Sequence, residues 1–273
     1  MLYYRVSLDV PVQLVIKVSN LLRKHREELG TRSGTRALSC WQQAKFILAW
    51  FRDKPDLRRL GQGFGISQAT AYRYKDEGTE VLRAQAPTLH DALEKAAEQG
   101  LPYLILDGTL ISADRCTDKQ TSRKGALIDK WYSGKAHEHA GLIQGLISPA
   151  GIPLWLSDVL PGSTHDITAA RQQVLPAARP YLKRLPILAD SGYEGAGPGV
   201  HVPVKKPRKG ELDIDTITRN ILLRGLRYQG ERGFAILKER WRALGHVSAD
   251  PASIGPIAIA ALVLTQIEHK MIS

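Results

Sequence analysis

Two apolar runs in this sequence end on an aspartate: "LILD" at Asp107 and "ILAD" at Asp190. Both read as short core strands, and a carboxylate at the end of such a strand is costly to desolvate unless something pairs with it. In α/β sheets the working crevice lies beyond the carboxyl ends of parallel strands. If these two strands are neighbours and parallel, Asp107 and Asp190 face each other there. Two ionised carboxylates would repel and one pKa would rise, unless a cation sits between them. An oxygen-only ligand set of this kind suits Mg²⁺ or Mn²⁺, which keep positions open for water and phosphate.

A third acid is offered by a helix expected over residues 217–244. Leu223, Leu226, Phe234, Leu237, Trp241 and Leu244 form its apolar stripe, with a skipped turn at Gly230. Arg224, Arg227, Glu231, Lys238 and Arg242 run beside that stripe, so Glu231 is the one acid on a basic face. As an intrahelical partner of Arg227 it would contribute little; as a metal ligand it would complete a two-metal site. Spacing alone does not choose between these. Asp166, in "GSTHDITAA", has two readings as well. It favours the N-terminus of the helix it begins, or it replaces Asp190 as the second acid. The helix-terminus role is preferred, because an acid at a strand end points more directly into the crevice. His137 and His139 would share one face of a strand, facing solvent or DNA, since no further ligand cluster joins them. Ser163 and His165 lack the G-x-S-x-G turn of a hydrolase nucleophile.

The elements that must position these groups fall into two textures. Residues 1–95 read as helical. Leu14, Val18, Leu21 and Leu22 recur at helical spacing within 10–29, and Ala44, Ile47, Leu48 and Phe51 within 40–53. A short helix from Pro55 to Gly65, then "ISQATAYRYKDEG", has the pattern of a helix-turn-helix. Ile66 fills its small core, Ser67 caps the second helix, and Gln68, Thr70, Arg73 and Lys75 suit base edges and phosphates. The alternative is an ordinary helical hairpin with a polar outer face. The glycines of "GQGFG" do not make a nucleotide loop, since no strand precedes them. From residue 96 to 273 strands appear: 102–109, a hairpin over 140–160 turning at Ser148 to Gly151, a capped helix from Ser163, the strand before Asp190, and two closing helices. Strand, hairpin, helix, strand, helix predicts an α/β sheet covered by helices.

The balance of 38 Lys+Arg against 27 Asp+Glu gives a net charge of +11 over 273 residues, which favours a polyanionic partner. The two cysteines, Cys40 and Cys116, exclude a disulfide scaffold and a cysteine-rich zinc module. The N-terminal "MLYYRVSLDVPVQL" has no charged leader followed by an apolar core. The longest apolar run, 254–267, contains Pro256 and falls short of the roughly 18 to 20 residues that span a bilayer. It is expected to pack as a buried C-terminal helix, and the protein to be cytoplasmic.

Taken together these motifs resemble the DDE-superfamily transposases of bacterial insertion sequences, in the insertion sequence 5 group related to Harbinger-like elements. "LDGT" resembles the first acidic motif, "PGSTHD" the middle signature and "DSGYEG" the second acidic motif. "SGKAHEHAGLIQGLI", with Lys135, resembles the internal strand region, and Arg227, Glu231 and Lys238 the C-terminal signature. One departure is Arg224, where the family often has tyrosine. The resemblance implies a ribonuclease H-like mixed sheet preceded by an all-α helix-turn-helix domain, with Asp107, Asp190 and Glu231 as catalytic triad and ligands of two Mg²⁺ or Mn²⁺ ions. It also implies metal-dependent cleavage and strand transfer at element ends, on double-stranded DNA, by a homodimer or higher assembly. Lys135, Arg227 and Lys238 would clamp DNA beside the residues of the second helix; the "KKPRKG" run is more simply a solvated loop. A non-catalytic DNA-binding regulator, or a host nuclease with the same site, are the alternatives.

Overall fold

The computed structural model describes residues 8–114, 116–121 and 125–271. Residues 1–7, part of the stretch read for a leader, lie outside them. The chain begins with five helices: α1 (Val12–Glu28), α2 (Cys40–Asp53), α3 (Leu57–Gly63), α4 (Gln68–Arg83) and α5 (Leu89–Glu98). Their starts are set by local hydrogen bonds. Ser39 and Gln42 form a capping box on α2, and Thr88 and Asp91 another on α5. Asp56, rather than Pro55, opens α3 and accepts from the Arg59 N–H, and Ser67 accepts from the Thr70 N–H as expected. Gly65 takes the left-handed backbone (φ 69°) that the turn between α3 and α4 requires.

The sheet follows. Its strands are β1 (Leu104–Ser112), β4 (Tyr132–Ser133), β5 (Glu138–Ile147), β6 (Pro153–Leu156), β7 (Leu160–Pro161), β8 (Ile187–Leu188) and β9 (Val200–His201); β2 (Lys119–Thr121) and β3 (Leu127–Asp129) pair separately. The order is β4-β5-β1-β8-β9, and β6 and β7 also pair with β5. β1 is antiparallel to β5 and parallel to β8, with Leu104 opposite Ile187 and Ile105 opposite Leu188. The two strands that carry Asp107 and Asp190 are therefore neighbours and parallel, but β1 does not end on its aspartate: it continues to Ser112, and only Asp190 lies just past its strand. Helices α6 (Asp166–Gln173), α7 (Leu175–Ala178), α8 (Ile214–Arg240) and α9 (Ile254–Glu268) complete a mixed α/β architecture, compatible with a ribonuclease H-like fold.

Alternation along β1 splits the apolar residues between two faces. Leu104 and Leu106 join Leu146, Ile187, Ala189 and Tyr193 beneath α5, α6 and α7. Ile105 and Ile111 join Phe234, Leu237 and Trp241 of the other face, in a buried cluster that continues through α9 into α1, α2 and α4. One core thus links the N-terminal helices to the sheet. The apolar 254–267 run becomes α9; with the turn at Pro251–Ser253 it reaches 18 residues, long and apolar enough by composition to cross a membrane, contrary to the expectation from sequence. Two thirds of that stretch is buried inside the protein, as befits a core helix.

Three other readings need correction. Leu226 is exposed rather than part of the α8 stripe, and the helix ends at Arg240, leaving Leu244 buried in a following 3₁₀ turn. The skipped turn at Gly230 is a close contact. A Cβ there would lie 2.9 Å from Ile105 Cγ2, and one on Gly233 equally close to Ile147 Cγ2, so these glycines let α8 settle onto β1 and β5. His137 does not share a strand face with His139; it precedes β5 in a left-handed conformation (φ 58°).

Candidate active site

Asp107 and Asp190 come together as their strands require. The Asp107 side chain is largely buried, on the same face of β1 as Ile105, against the glycine of α8: a Cβ on Gly230 would lie 3.7 Å from Asp107 Oδ2. Its pKa is pushed up to about 6, first by burial and then by the charges of Asp190 and Asp166; Arg227 and the Gly108 N–H oppose the rise. Arg227 Nη2 stands 3.9 Å from Asp107 Oδ1, its side chain mostly buried and its Nε without a partner among the described residues. Asp190, directly after β8, accepts the Gly192 N–H at 2.7 Å and caps a short 3₁₀ turn.

Asp166 belongs to this group. It does begin α6, in the helix's first turn, as expected. The same position also carries its carboxylate to the acids. A Cβ on Gly192 would lie 2.8 Å from Asp190 Oδ1 and 3.2 Å from Asp166 Oδ2. A Cβ on Gly108 would lie 2.7 Å from Asp166 Oδ1 and 2.8 Å from Gln144 Nε2. Burial raises the Asp166 pKa and the Asp190 charge adds to the rise, while Lys135 and Gln144 oppose it. Gln144, fully buried on β5 opposite Gly108, receives the Tyr193 hydroxyl on its Oε1 at 2.7 Å. Its Nε2 is turned toward Asp166 without completing a hydrogen bond of normal geometry. Sequence reasoning passed over Gln144 and Tyr193. A glutamine inside the β-run "AGLIQGLI" and the tyrosine of "DSGYEG" were the available signals.

Glu231 is placed differently. It lies next to Gly230 and one turn beyond Arg227, with its side chain exposed. Among the described residues no three acidic, histidine or cysteine side chains converge on a single point. Lys238 donates to the Leu110 carbonyl at 2.8 Å, and burial lowers its pKa. It pins α8 to β1. Lys75 sits against the Trp50 ring and pairs with Asp76, whereas Gln68 and Arg73 are exposed, the latter donating to Thr70 Oγ1. Ser67 is spent on its cap. Cys40 and Cys116 are both free thiols.

Two clefts flank the acids. One, of about 310 Å³, is lined by Gly108, Lys135, Ser163, Thr164 and Asp166. The other, of about 440 Å³, is lined by Asp190, Lys205, Lys206, Arg224 and Arg227. The loop bearing Lys205 and Lys206 is fastened to α8 by Asn220, which exchanges two hydrogen bonds of 2.9 Å with the backbone of Val204. The "KKPRKG" run is therefore anchored beside the acids at its start.

The middle signature is held just as closely. The Gly162 N–H donates to the Ala140 carbonyl at 2.9 Å, and a Cβ at Gly162 would lie 2.5 Å from that oxygen. Gly162→Ala must therefore push β7 away from β5, because the obstacle is backbone. We expect a loss of about 1–3 kcal/mol of stability, read by urea unfolding; an unchanged midpoint would contradict this packing.

Residues 106–266 match the model of a family described as DDE superfamily endonuclease. The search of curated proteins finds no match, and neither does the search of solved structures.

Proposed function

The chain belongs to the DDE superfamily endonucleases, and from that premise we propose that it is a transposase, binding the ends of a mobile element and cutting and joining DNA there. The observation that carries this reading is the pairing of Asp107, within β1, and Asp190, directly after β8, on adjacent parallel strands, each within reach of the other's charge. The donors suit Mg²⁺ or Mn²⁺: they are hard oxygens, half-buried, and their mutual repulsion is what a divalent cation relieves. Asp107 and Asp190 would hold the metal, with Glu231 joining from α8 as third acid. Two such ions would lower the pKa of an attacking water or 3′-hydroxyl and stabilise the departing oxygen.

The rest of the chain positions DNA. Arg227 offsets the charge of Asp107 before metal binds and is free to turn to a phosphate afterwards. Lys205, Lys206 and Arg224 line one approach to the acids and Lys135 the other, which supports a path for the phosphate backbone across them. Helix α4, entered through the Ser67 cap, would act as the second helix of a helix-turn-helix, with Gln68, Thr70 and Arg73 toward the element end. The large positive charge agrees with such a partner, and binding of two ends calls for a dimer or larger assembly.

The test is cleavage of labelled duplex carrying the element's own ends, with Mg²⁺ or Mn²⁺, by the wild type and Asp190→Asn. Cleavage that needs metal and falls at least about a hundredfold in the variant is expected, since a divalent ion supplies several kcal/mol to such a transition state. Cleavage undiminished by Asp190→Asn would remove Asp190 from the site. Tight binding with no cleavage by either protein would instead mark a DNA-binding regulator.

A further inference from the structure

We infer that Asp166 is a fourth acidic residue of the metal centre, sharing one divalent cation with Asp190 on the β5 side of the site. This rests on the metal-centre reading above and adds to it a ligand. Three observations meet here. First, the Asp166 carboxylate is bracketed by the glycines that follow Asp107 and Asp190. Any side chain at Gly108 would collide with its Oδ1, and one at Gly192 would crowd both its Oδ2 and Asp190 Oδ1. The glycines of "LDGT" and "DSGYEG" thus leave room for an acid that arrives from a third motif.

Second, a neutral donor is built to meet that acid. Gln144 is fully buried, its orientation fixed by the Tyr193 hydroxyl, and its Nε2 has no completed hydrogen bond among the described residues. An unpartnered amide N–H in a core costs about 1–3 kcal/mol. Turned toward Asp166, it favours the ionised carboxylate and orients it, as an outer partner does for a metal ligand. Tyr193, itself wholly buried with burial holding its hydroxyl protonated, can only donate to Gln144 Oε1, which fixes the amide so that nitrogen faces the acid.

Third, Asp190 stands beside both partners: the parallel register of β1 and β8 carries it level with Asp107, and Gly192 lies against its Oδ1 and Asp166 Oδ2 alike. Asp107 lies on the α8 face of β1, with Ile105, and Gly108 opens toward the opposite face, where Asp166 and Gln144 stand. Asp190 therefore joins two carboxylate pairs, Asp107–Asp190 and Asp190–Asp166. Lys135, facing Asp166 from the smaller cleft, is placed for a phosphate oxygen on the same cation.

The experiment counts Mn²⁺ bound to the DNA-free protein by electron paramagnetic resonance, for the wild type, Asp166→Asn and Asp107→Asn, with melting curves to confirm folding. Two bound ions in the wild type are expected. In Asp166→Asn one of them is lost or weakened at least about tenfold, while Asp107→Asn weakens binding on its own account. Gly108→Ala, which displaces the same carboxylate without removing it, should weaken Mn²⁺ as well. Full wild-type binding by Asp166→Asn and Gly108→Ala, with loss only in Asp107→Asn, would overturn the fourth ligand and leave the metal centre standing. Binding unchanged in every variant would overturn both.

Discussion

Asp107→Asn is expected to melt at a higher temperature than the wild type at pH 7 without metal, and to lose cleavage altogether. The two effects have one source. Asp107 is buried enough that its pKa rises from 3.8 to about 6. A carboxyl whose folded pKa lies above its unfolded value stabilises the fold fully below the unfolded pKa, and that contribution is lost as pH rises through the folded one. At pH 7 the wild type therefore carries an ionised, poorly solvated group that the amide variant lacks. The shift sets a ceiling of roughly 3 kcal/mol. The realised gain is smaller, because Arg227 loses its partner. Melting curves in chelator between pH 4 and 8 should show the variant ahead at pH 7 and the two proteins converging near pH 4. Curves that stay parallel across that range would show that Asp107 is not strained by burial. The same proton competes with metal, so wild-type Mn²⁺ affinity should fall steeply below about pH 6. A protein that gains stability while losing activity at one residue bears the mark of a functional site rather than a structural one.

The second large effect lies far from the acids. Trp241→Ala should lower stability by about 3–5 kcal/mol, a fall in melting temperature on the order of 10 °C. Trp241 is fully buried where α8 ends, its ring edge-on to Phe51 of α2 and its indole N–H donating to Thr265 Oγ1 of α9 at 2.9 Å. Truncation leaves a cavity where three elements meet. Because the surrounding core runs without a break from α1 and α2 to β1 and β5, the loss should appear as one cooperative transition. Far-UV circular dichroism with limited proteolysis across the urea transition would check this. Survival of residues 1–95 as a resistant fragment while the sheet unfolds would mean that the helical segment folds independently.

Much of the chain was legible because its signals are local. The cap at Ser67 satisfies a backbone donor within three residues, so the start of α4 could be read from residue order, whereas α5 and its Thr88 cap were not read. The turn at Ser148 to Gly151 and the apolar run of α9 were equally plain. Asp107 and Asp190 were marked by the contrast between an apolar run and the charge that ends it. The placement of Lys238 and Lys75 was not legible. Both looked like solvent-facing cations by helical spacing, yet one reaches the Leu110 carbonyl and the other the Trp50 ring. A helix wheel gives the direction in which a side chain leaves, and not what stands opposite it.

The sequence by itself thus determined many of the longer elements, their order and the two acids that close apolar runs. Each of these follows from the period of the apolar residues and from hydrogen bonds closed within a few positions. Only the tertiary structure decided that Asp166 meets Asp190, that Gln144 and Tyr193 stand behind it, and that Glu231 is exposed on α8. It also decided that the N-terminal helices and the sheet share a core. Those outcomes depend on strand pairing and on glycines that let backbones close in: Gly108 opposite Gln144, Gly192 beside Asp166, Gly230 on Ile105. The absence of a side chain leaves no periodic trace in a sequence, and its consequence appears only when another segment occupies the space.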